Sequence, residues 1–566
     1  MPGFINRMKV KSLTKKGRDC YKKREYDKAI AYFDRAIELA HDNALTYHLR
    51  GLAYLGKEDY DQAIREHDKA IRLDPNYADA YNDKGLAYSS KGDHARSISE
   101  YERAIELNPR FVIAYANRGA SYARLGDRDR ALADFDMVVE LDPNDAAGYN
   151  GRGNIYQDME EYGLSLDNFN RAIELNPALD DVYHNRAGTY ASIGELDRAI
   201  IDHNMAVQIN PNDAVNYSGR GETYLKRGEY DYAVLDFNRA IELNPGLTVA
   251  YMSRGSAYGN MGHNDEAISD FNSALSLDAH NSKAYGNRGS AYLNKGEYAK
   301  AISDFDRALD LDPSLALACY GRGVAQRLNG DYDRAIADFE RTIELDPDDT
   351  LNMRYMAQTG RSIAIYSKVI EANPDDSEAY YNRGCTYRNV GNYERALCDF
   401  ENAIGLNPDD AHTYYNRGLI YADQGQYERA FADLDMAVKL DPNDADAYIN
   451  RGNIYGARGD YVRAIRDYDK AIDLNPGDAE AYYNRGNIYL HSKREYDKAI
   501  SDFDKAVALN PYYAVAYYNR GIAYLYKEDF DSSIADYDRT IQLDPSAARF
   551  DNYGEVALSK KAQMGR

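Results

Sequence analysis

Apolar residues recur along this chain with a period of 34 residues between residues 10 and 547. With each copy numbered from 1 to 34, Tyr recurs at position 4, Gly at 8, Tyr at 11, Ala at 20, Phe or Tyr at 24, Ala at 27 and Pro at 32. Sixteen copies begin at residues 10, 44, 78, 112, 146, 180, 214, 248, 282, 316, 350, 377, 411, 445, 479 and 514. Fourteen copies have 34 residues, the eleventh has 27 and the fifteenth has 35.

This spacing predicts two helices in every copy. Positions 4, 8 and 11 share one stripe of a first helix, positions 20, 24 and 27 share one stripe of a second helix, and Pro at 32 ends the second helix. A helical Gly at position 8 costs stability, so we expect it where the two helices approach closely, as at Gly119 opposite Ala131. An Asp at position 34 is expected to cap the next helix at Asp145, Asp213, Asp410 and Asp444.

These positions resemble the tetratricopeptide repeat signature over almost the whole chain, with Tyr where the family usually has Trp at position 4. The resemblance implies an all-α fold, a right-handed α-solenoid superhelix of helix-turn-helix repeats, with the first helices lining a concave groove. Since one hairpin cannot bury both of its apolar faces, stability is expected to come from stacking between neighbouring repeats.

Irregularities in the array predict its domains. The eleventh copy lacks most of its first helix, which indicates a joint. The fifteenth copy has one extra residue within 491–495, which predicts a slightly longer turn between its helices. The predicted domains are a basic extension at 1–9, a ten-repeat block at 10–349, the joint at 350–376, a five-repeat block at 377–547 and a polar cap or tail at 548–566.

Composition adds constraints to this prediction. The net charge is -23 and the mean hydropathy -0.69, but 44% hydrophobic residues in helical register indicate an ordered array. No apolar stretch approaches a membrane span, and no signal peptide is recognisable, so we expect a soluble cytoplasmic protein. The four cysteines favour isolated thiols over a Cys385–Cys398 disulfide. The sequence contains no catalytic motif, so we expect that the chain is not an enzyme and has neither a cofactor nor a metal site.

Charge is distributed unevenly. Residues 1–24 contain nine basic residues and one acidic residue, Asp19, so their net charge is +8. Because the whole chain has a net charge of -23, the remaining residues carry -31. This basic segment is either the solvated polar cap of the first repeat or a contact for an anionic surface or for the acidic body of another copy. The long acidic remainder argues against nucleic acid as the main partner.

Two polar rows run through the repeats. Arg at position 7 and Asp at position 23 occur together in eleven copies, which predicts a ladder of ion pairs between adjacent helices. Asn at position 6 is expected to face the groove at Asn117, Asn185, Asn287, Asn382, Asn416, Asn450, Asn484 and Asn519. In the five-repeat block position 5 adds Tyr381, Tyr415, Tyr483 and Tyr518.

A carboxamide offers donors and an acceptor that match a peptide group. The Asn row resembles the asparagine ladder in the repeat domain of O-GlcNAc transferase, which implies binding to the backbone of an extended peptide; the alternative is a row that only keeps the groove hydrated. The clamp for chaperone tails is not expected, because position 5 is never Lys. We therefore expect a scaffold whose groove binds an extended, neutral or basic segment of a partner protein. The alternatives are a structural or self-assembling solenoid and the regulatory arm of an enzyme in another chain.

Overall fold

Helices form all the regular structure of the residues described, which are 2–346, 352–546 and 553–563 of a computed structural model. The expected all-α solenoid of helix hairpins is confirmed. The chain divides into two compact units, Met1–Lys295 and Gly296–Arg566. This boundary lies inside the ninth copy, 282–315, whereas the division at 350–376 stays a prediction.

The first unit contains helices α1 to α17. Their bounds are Pro2–Lys22, Tyr26–Leu39, Ala44–Gly56, Tyr60–Leu73, Ala78–Ser90, His94–Leu107, Val112–Arg124, Arg128–Leu141, Ala146–Asp158, Tyr162–Leu175, Asp180–Ser192, Leu196–Ile209, Ala214–Arg227, Tyr230–Leu243, Thr248–Asn260, Asn264–Leu277 and Ser282–Asn294. Odd-numbered helices are the first helices of the copies and even-numbered helices are the second.

The second unit contains helices α18 to α32. Their bounds are Tyr298–Leu311, Ala316–Leu328, Tyr332–Leu345, Met353–Ala372, Ser377–Asn389, Tyr393–Leu406, Ala411–Asp423, Tyr427–Leu440, Ala445–Ala457, Tyr461–Leu474, Ala479–Asn487, Tyr496–Leu509, Ala514–Tyr526, Phe530–Leu543 and Tyr553–Gln563. A π-helical turn, Ile488–Lys493, follows α28. The first helices of the five-repeat block are therefore α22, α24, α26, α28 and α30.

Glycine at position 8 makes room for the aromatic ring at position 24. A Cβ atom on Gly153 would lie 2.5 Å from Phe169 Cε1, and one on Gly221 would lie 2.8 Å from Phe237 Cε1. Close approach of the two helices is thus confirmed. The neighbour is mainly a ring and not the Ala side chain at position 20, because a Cβ atom on Gly119 would lie 3.3 Å from the Ala131 carbonyl oxygen and 3.3 Å from Phe135 Cε2.

Helix ends follow the sequence signals. The four expected Asp caps accept backbone N–H groups at the starts of α9, α13, α24 and α26, with N–O distances of 2.8 to 3.1 Å. Glycine at position 15 turns the chain between the helices of a copy, as at Gly126 with φ 78°. Glu160 holds the same position with φ 62°, a left-handed conformation that strains a residue with a side chain.

The ends of the chain extend the repeat pattern. The predicted extension 1–9 continues α1 without a break from Pro2. At the other end α32 packs on α31, where Ala557 is buried with Leu525 and Phe530, and Lys561 forms an ion pair with Asp531. Residues 548–552 and 564–566 of the predicted cap lie outside the described part. The helix α32 thus occupies the place of a further first helix.

The short eleventh copy forms one helix in place of a hairpin. Ala357 and Ala364 of α21 pack with Phe339 of α20, while Ile363 belongs to the cluster that contains Tyr387 of α22. One helix therefore contacts both neighbouring copies. Residues 350 and 351 of this copy lie outside the described part, and its role as a joint stays a prediction.

The extra residue of the fifteenth copy is absorbed inside the first helix. The chain passes from α28 into the π-helical turn before Arg494 adopts a left-handed conformation with φ 55°. The expected longer turn between helices was therefore wrong, since a wider helical turn accommodates one residue without lengthening the connection.

All four cysteines carry free thiols. None of the helices described is both long enough and apolar enough to cross a membrane.

Candidate functional site

The arginines at position 7 form ion pairs with the aspartates at position 23 of the same copy. Arg417 donates from Nε and Nη2 to both carboxylate oxygens of Asp433 at 2.8 Å, joining α24 to α25. Arg383 binds Asp399 in the same way at 2.8 and 2.7 Å. The predicted ladder is confirmed. The same two-bond pairing links Arg118–Asp134, Arg186–Asp202, Arg220–Asp236, Arg254–Asp270, Arg322–Asp338, Arg451–Asp467, Arg485–Asp502 and Arg520–Asp536.

Most of these arginines have a third partner in the preceding copy. Arg520 Nη1 donates to Asp504 at 2.7 Å, and Arg220 Nη1 donates to Asn204 at 2.8 Å. Asn204 holds position 25, and Asp504 holds the equivalent place, shifted by the extra residue of its copy. Since Asp or Asn occupies this place in most copies, the signal was available in the sequence and was missed. These guanidinium groups therefore bond both to an aspartate of their own copy and to an acceptor of the preceding copy, which links neighbouring repeats.

In the five-repeat block, three of the five asparagines are tethered to tyrosines of the preceding copy. Asn416 Nδ2 donates to the Tyr381 hydroxyl, Asn450 to that of Tyr415 and Asn519 to that of Tyr483, each at 3.3 Å. Position 5 of one copy thus supplies the acceptor for position 6 of the next. Part of the predicted site is therefore a contact between repeats.

The remaining bonding capacity differs among the tethered asparagines. Asn416 also donates to the His412 carbonyl and accepts from Arg388 Nη1 at 2.8 Å, so its carboxamide is fully engaged. Asn450 donates to the Asp446 carbonyl as well, and Asn519 to Asn487 Oδ1. Both keep a carboxamide oxygen that accepts no hydrogen bond from the described residues.

Two asparagines of the block lack the tyrosine tether. The copy that precedes Asn484 has Ile449 at position 5, which offers no hydroxyl group. Asn484 donates only weakly, at 3.5 Å, to Glu480 of its own helix. Asn382 follows α21, whose Tyr355 hydroxyl donates to the Asn389 carbonyl instead. The Asn382 carboxamide is half-buried and forms no hydrogen bond with the residues described. These two side chains keep donors and acceptor for an outside ligand.

The tyrosines at position 5 are half-buried, and three of them pack on the position-24 ring of their own copy, whereas Tyr415 packs on the cluster that contains Leu434. The ring centroids of Tyr381 and Phe400 are 6.1 Å apart, and Tyr518 meets Tyr537 edge-on at 5.7 Å. Burial raises the pKa of Tyr415 to about 12, with Asp446 and Asp444 adding to the shift. These rings therefore act first as packing residues and hydroxyl acceptors.

The asparagines of the first unit follow the same rule. Asn117 Nδ2 donates to Asn82 Oδ1 and Asn185 Nδ2 donates to Asn150 Oδ1, each at 3.1 Å. Asn287 comes after a copy with Met252 at position 5 and lines a cavity of about 200 Å³. An acceptor at position 5 again decides whether the following Asn is tethered.

Acidic side chains border the Asn row of the five-repeat block. Glu378, Asp446 and Glu480 are exposed at position 2, one helical turn before the Asn of the same helix. Burial raises the pKa of Asp446, and the charges of Asp444 and Asp478 raise it further. Carboxylates thus lie one helical turn from three of the five asparagines, while Arg388 bonds to Asn416.

Models of the tetratricopeptide repeat match most of the chain. The matched residues are 10–43, 56–92, 85–126, 112–145, 146–179, 214–247, 249–281, 282–315, 316–349, 381–445, 434–466, 452–492, 479–513 and 514–547. The chain belongs to the tetratricopeptide repeat family. Tetratricopeptide repeat proteins generally act as scaffolds that bind other proteins, and the chain is assigned to this class.

The chain is similar to several solved structures, which it matches over most of their own length. The Cut9–Hcn1 hetero-tetramer of the APC/C is 16% identical, with a TM-score of 0.38 over 91% of this chain and 96% of that chain. The human IFIT1 dimer with PPP-AAAA is 17% identical, with a TM-score of 0.42 over 64% and 91%. A tetratricopeptide repeat protein from Parabacteroides merdae is 20% identical, with a TM-score of 0.36 over 44% and 98%. No curated protein matches the chain.

Proposed function

We propose that this tetratricopeptide repeat protein is a non-enzymatic scaffold whose groove in residues 377–547 binds an extended segment of a partner protein. The observation that carries the proposal is the unequal engagement of the asparagine row. Asn382 has no hydrogen bond to its carboxamide from the described residues, Asn484 donates only weakly to Glu480, and Asn450 and Asn519 keep oxygens without a donor. The tyrosine contacts hold the first helices in register.

The spacing of the row suits a peptide backbone. Neighbouring first helices stack about 10 Å apart, and an extended chain advances about 3.3 Å per residue. Equivalent asparagines would then meet every third residue of the partner, and the five copies would hold a segment of roughly 15 residues. Recognition through the backbone gives affinity with little preference for sequence.

Charge selects among such segments. The exposed carboxylates of Glu378, Asp446 and Glu480 lie one turn from the asparagines, so a neutral or basic segment is favoured over an acidic one. Binding to a basic segment should weaken with salt, because the groove is open to solvent. Tyr381, Tyr415 and Tyr483 contribute mainly by holding the asparagines of the next copy, and Tyr518 contributes by apolar contact at its exposed edge.

The test is affinity purification of partners with wild type and with two variants. In N382A/N484A the untethered carboxamides are removed, and in N416A the fully engaged one is removed. We expect N382A/N484A to retain normal thermal stability and to lose partners, each side chain costing about 1 kcal/mol of binding. N416A should lower stability and change binding less.

Retention of every partner at full strength by a variant with all five asparagines changed to alanine, and with unchanged helicity, would contradict the proposal. Recovery of only the protein itself from wild type would favour a self-assembling solenoid. Recovery of an enzyme that stays bound to the five-alanine variant would favour a regulatory arm that uses another surface.

A further inference from the structure

A cavity with a cationic wall opens at the N-terminal end of the first unit. Its volume is about 980 Å³, and it lies between α1 and the segment that joins α2 to α3. The wall from α1 includes Arg7, Lys11, Lys15 and Arg18. Spacings of four, four and three residues place these side chains on one face of the helix.

The charge of this wall is opposite to that of the chain as a whole. All four basic side chains are exposed, and Asp42 is the acidic residue among those that line the cavity. The formal charge of the whole chain is -23. A local positive potential on an acidic protein attracts anionic groups to this place.

The floor of the cavity is apolar and includes an unsatisfied polar group. Val10 is buried there, and Leu39 and Leu45 remain exposed at its edge. Thr14 is 9% exposed, and its hydroxyl is enclosed without a hydrogen-bond partner. A buried hydroxyl without a partner is unfavourable, so a ligand group that bonds to Thr14 would gain from it.

The positive surface is short. His48 holds in α3 the repeat position that Thr14 holds in α1, and its Nε2 lies 3.6 Å from the carboxylate of Asp83 on α5. Asp79 precedes it on the same helix. The lining therefore becomes acidic within two copies, which disfavours a long polyanion and leaves room for a ligand of a few residues.

We propose that this cavity binds a short acidic segment of a partner protein. Its carboxylates would pair with Arg7, Lys11, Lys15 and Arg18, and one apolar side chain would cover Leu39 and Leu45. This site is separate from the asparagine row and has the opposite charge preference. The protein would thus hold two segments of different chemistry, one at each site.

The test uses the full chain and a fluorescein-labelled peptide in which glutamates surround one leucine, with binding followed by anisotropy. The variant K11E/K15E reverses two charges inside the cavity. The matched control K9E/K16E makes the same charge change on the same helix at residues outside the cavity lining. We expect about a tenfold or greater loss of affinity for K11E/K15E and less than about threefold for K9E/K16E.

Two further probes identify the ligand class. A peptide with glutamine in place of glutamate should bind at least about tenfold more weakly than the glutamate peptide. The milder variant K11Q/K15Q, with helicity checked by circular dichroism, should also lose affinity and guards against a folding defect in K11E/K15E.

Several outcomes would overturn the proposal. Equal losses for K11E/K15E and K9E/K16E would show general electrostatic attraction without a site. Tighter binding of a single-stranded oligonucleotide or of phosphatidylserine vesicles than of the peptide would assign the cavity to another class of anion. Self-association that K11E/K15E abolishes, without any peptide binding, would identify a second copy as the occupant.

Discussion

The repeat period determines which side chains form pairs in this array. Arg417 and Asp433 are 16 residues apart in one copy, and the same separation recurs at Arg383 and Asp399. Both members lie largely out of solvent, so each charge depends on the other. At this scale stability depends on pairs whose loss leaves one charge buried.

Removal of Arg417 should strand the Asp433 carboxylate. R417A is expected to destabilise α24 and α25 by about 1 to 3 kcal/mol, measured by native-state hydrogen exchange because repeat arrays need not unfold in one step. R417A/D433A should cost less than the sum of the single changes. Additive costs would show that the two side chains do not interact. R463A, which removes an exposed pair with Asp460, is the control and should cost below about 0.5 kcal/mol.

Buried histidines should make the copy at 180–213 sensitive to acid. Burial lowers the pKa of His203 to about 3, with the charges of His184 and Arg220 adding to the shift. In the unfolded chain the histidine pKa is near 6.5, so below that pH the unfolded chain binds a proton while the buried imidazole of the folded chain stays neutral. The free energy of unfolding therefore falls as the pH drops from about 6.5 toward 3.

Between pH 6.5 and 4.5 this histidine should cost about 2 to 3 kcal/mol. H203F, which installs the ring found at Phe169 and Phe237, should remove that part of the pH dependence of hydrogen exchange in α12. H412F, which makes the same change at an exposed histidine, provides the control. An unaltered response in H203F would mean that His203 takes up its proton in the folded state.

Helices and their connections repeat one design and depart from it at few places. Glycine at position 15 provides the left-handed residue between the helices of ten copies, whereas five copies use a residue with a side chain: Arg24, Glu58, Glu160, Arg494 and Glu528. The short copy uses α21 alone to contact both neighbours, and the π-helical turn after α28 absorbs an extra residue. At this scale the array tolerates irregular length because each helix packs only on its neighbours.

A glycine at position 160 should strengthen the connection between α9 and α10. E160G removes a left-handed side-chain conformation that costs roughly 1 to 2 kcal/mol, partly offset by the greater freedom of glycine in the unfolded chain. We expect a net gain of about 0.5 to 1 kcal/mol, seen as slower amide exchange in both helices. The reverse change G126A in the preceding copy should lose about 1 kcal/mol. A loss of protection in E160G would show that strain at this turn is absent.

Within each compact unit the helices contact mainly their neighbours along the chain, so the weakest place should be where a copy is incomplete. Two boundaries compete: the division between the compact units at Lys295 and Gly296, and the short copy at 350–376. The charge also changes along the chain, from a basic start to an acidic remainder. At this scale the arrangement allows separate regions to hold different ligands.

Limited proteolysis should cut first between about residues 345 and 365, because a single helix replaces a hairpin there and less surface is stacked. Two folded fragments should remain, each helical by circular dichroism. First cleavage near Lys295, or cleavage scattered over the turns between repeats, would locate the weakest place elsewhere. Mass spectrometry of the earliest fragments separates these outcomes.

The sequence by itself determined the elements and the pairs inside one copy. Proline at position 32, glycine at position 15 and the apolar stripes set where each helix begins and ends, since these are local properties of the backbone. The pairing of Arg417 with Asp433 was equally predictable, because one hairpin brings positions 7 and 23 together. The fold class followed from the repetition of these signals.

Only the tertiary structure decided how one copy uses the next. The bonds from Asn416 to Tyr381 and from Arg520 to Asp504 cross between repeats, and they depend on the rotation and offset with which hairpins stack. Stacking likewise determined that α21 packs on both α20 and α22, and that Thr14 lines the same cavity as the four basic side chains of α1. A repeat pattern specifies each unit and its spacing, but side chains on adjacent units meet at distances that only packing establishes.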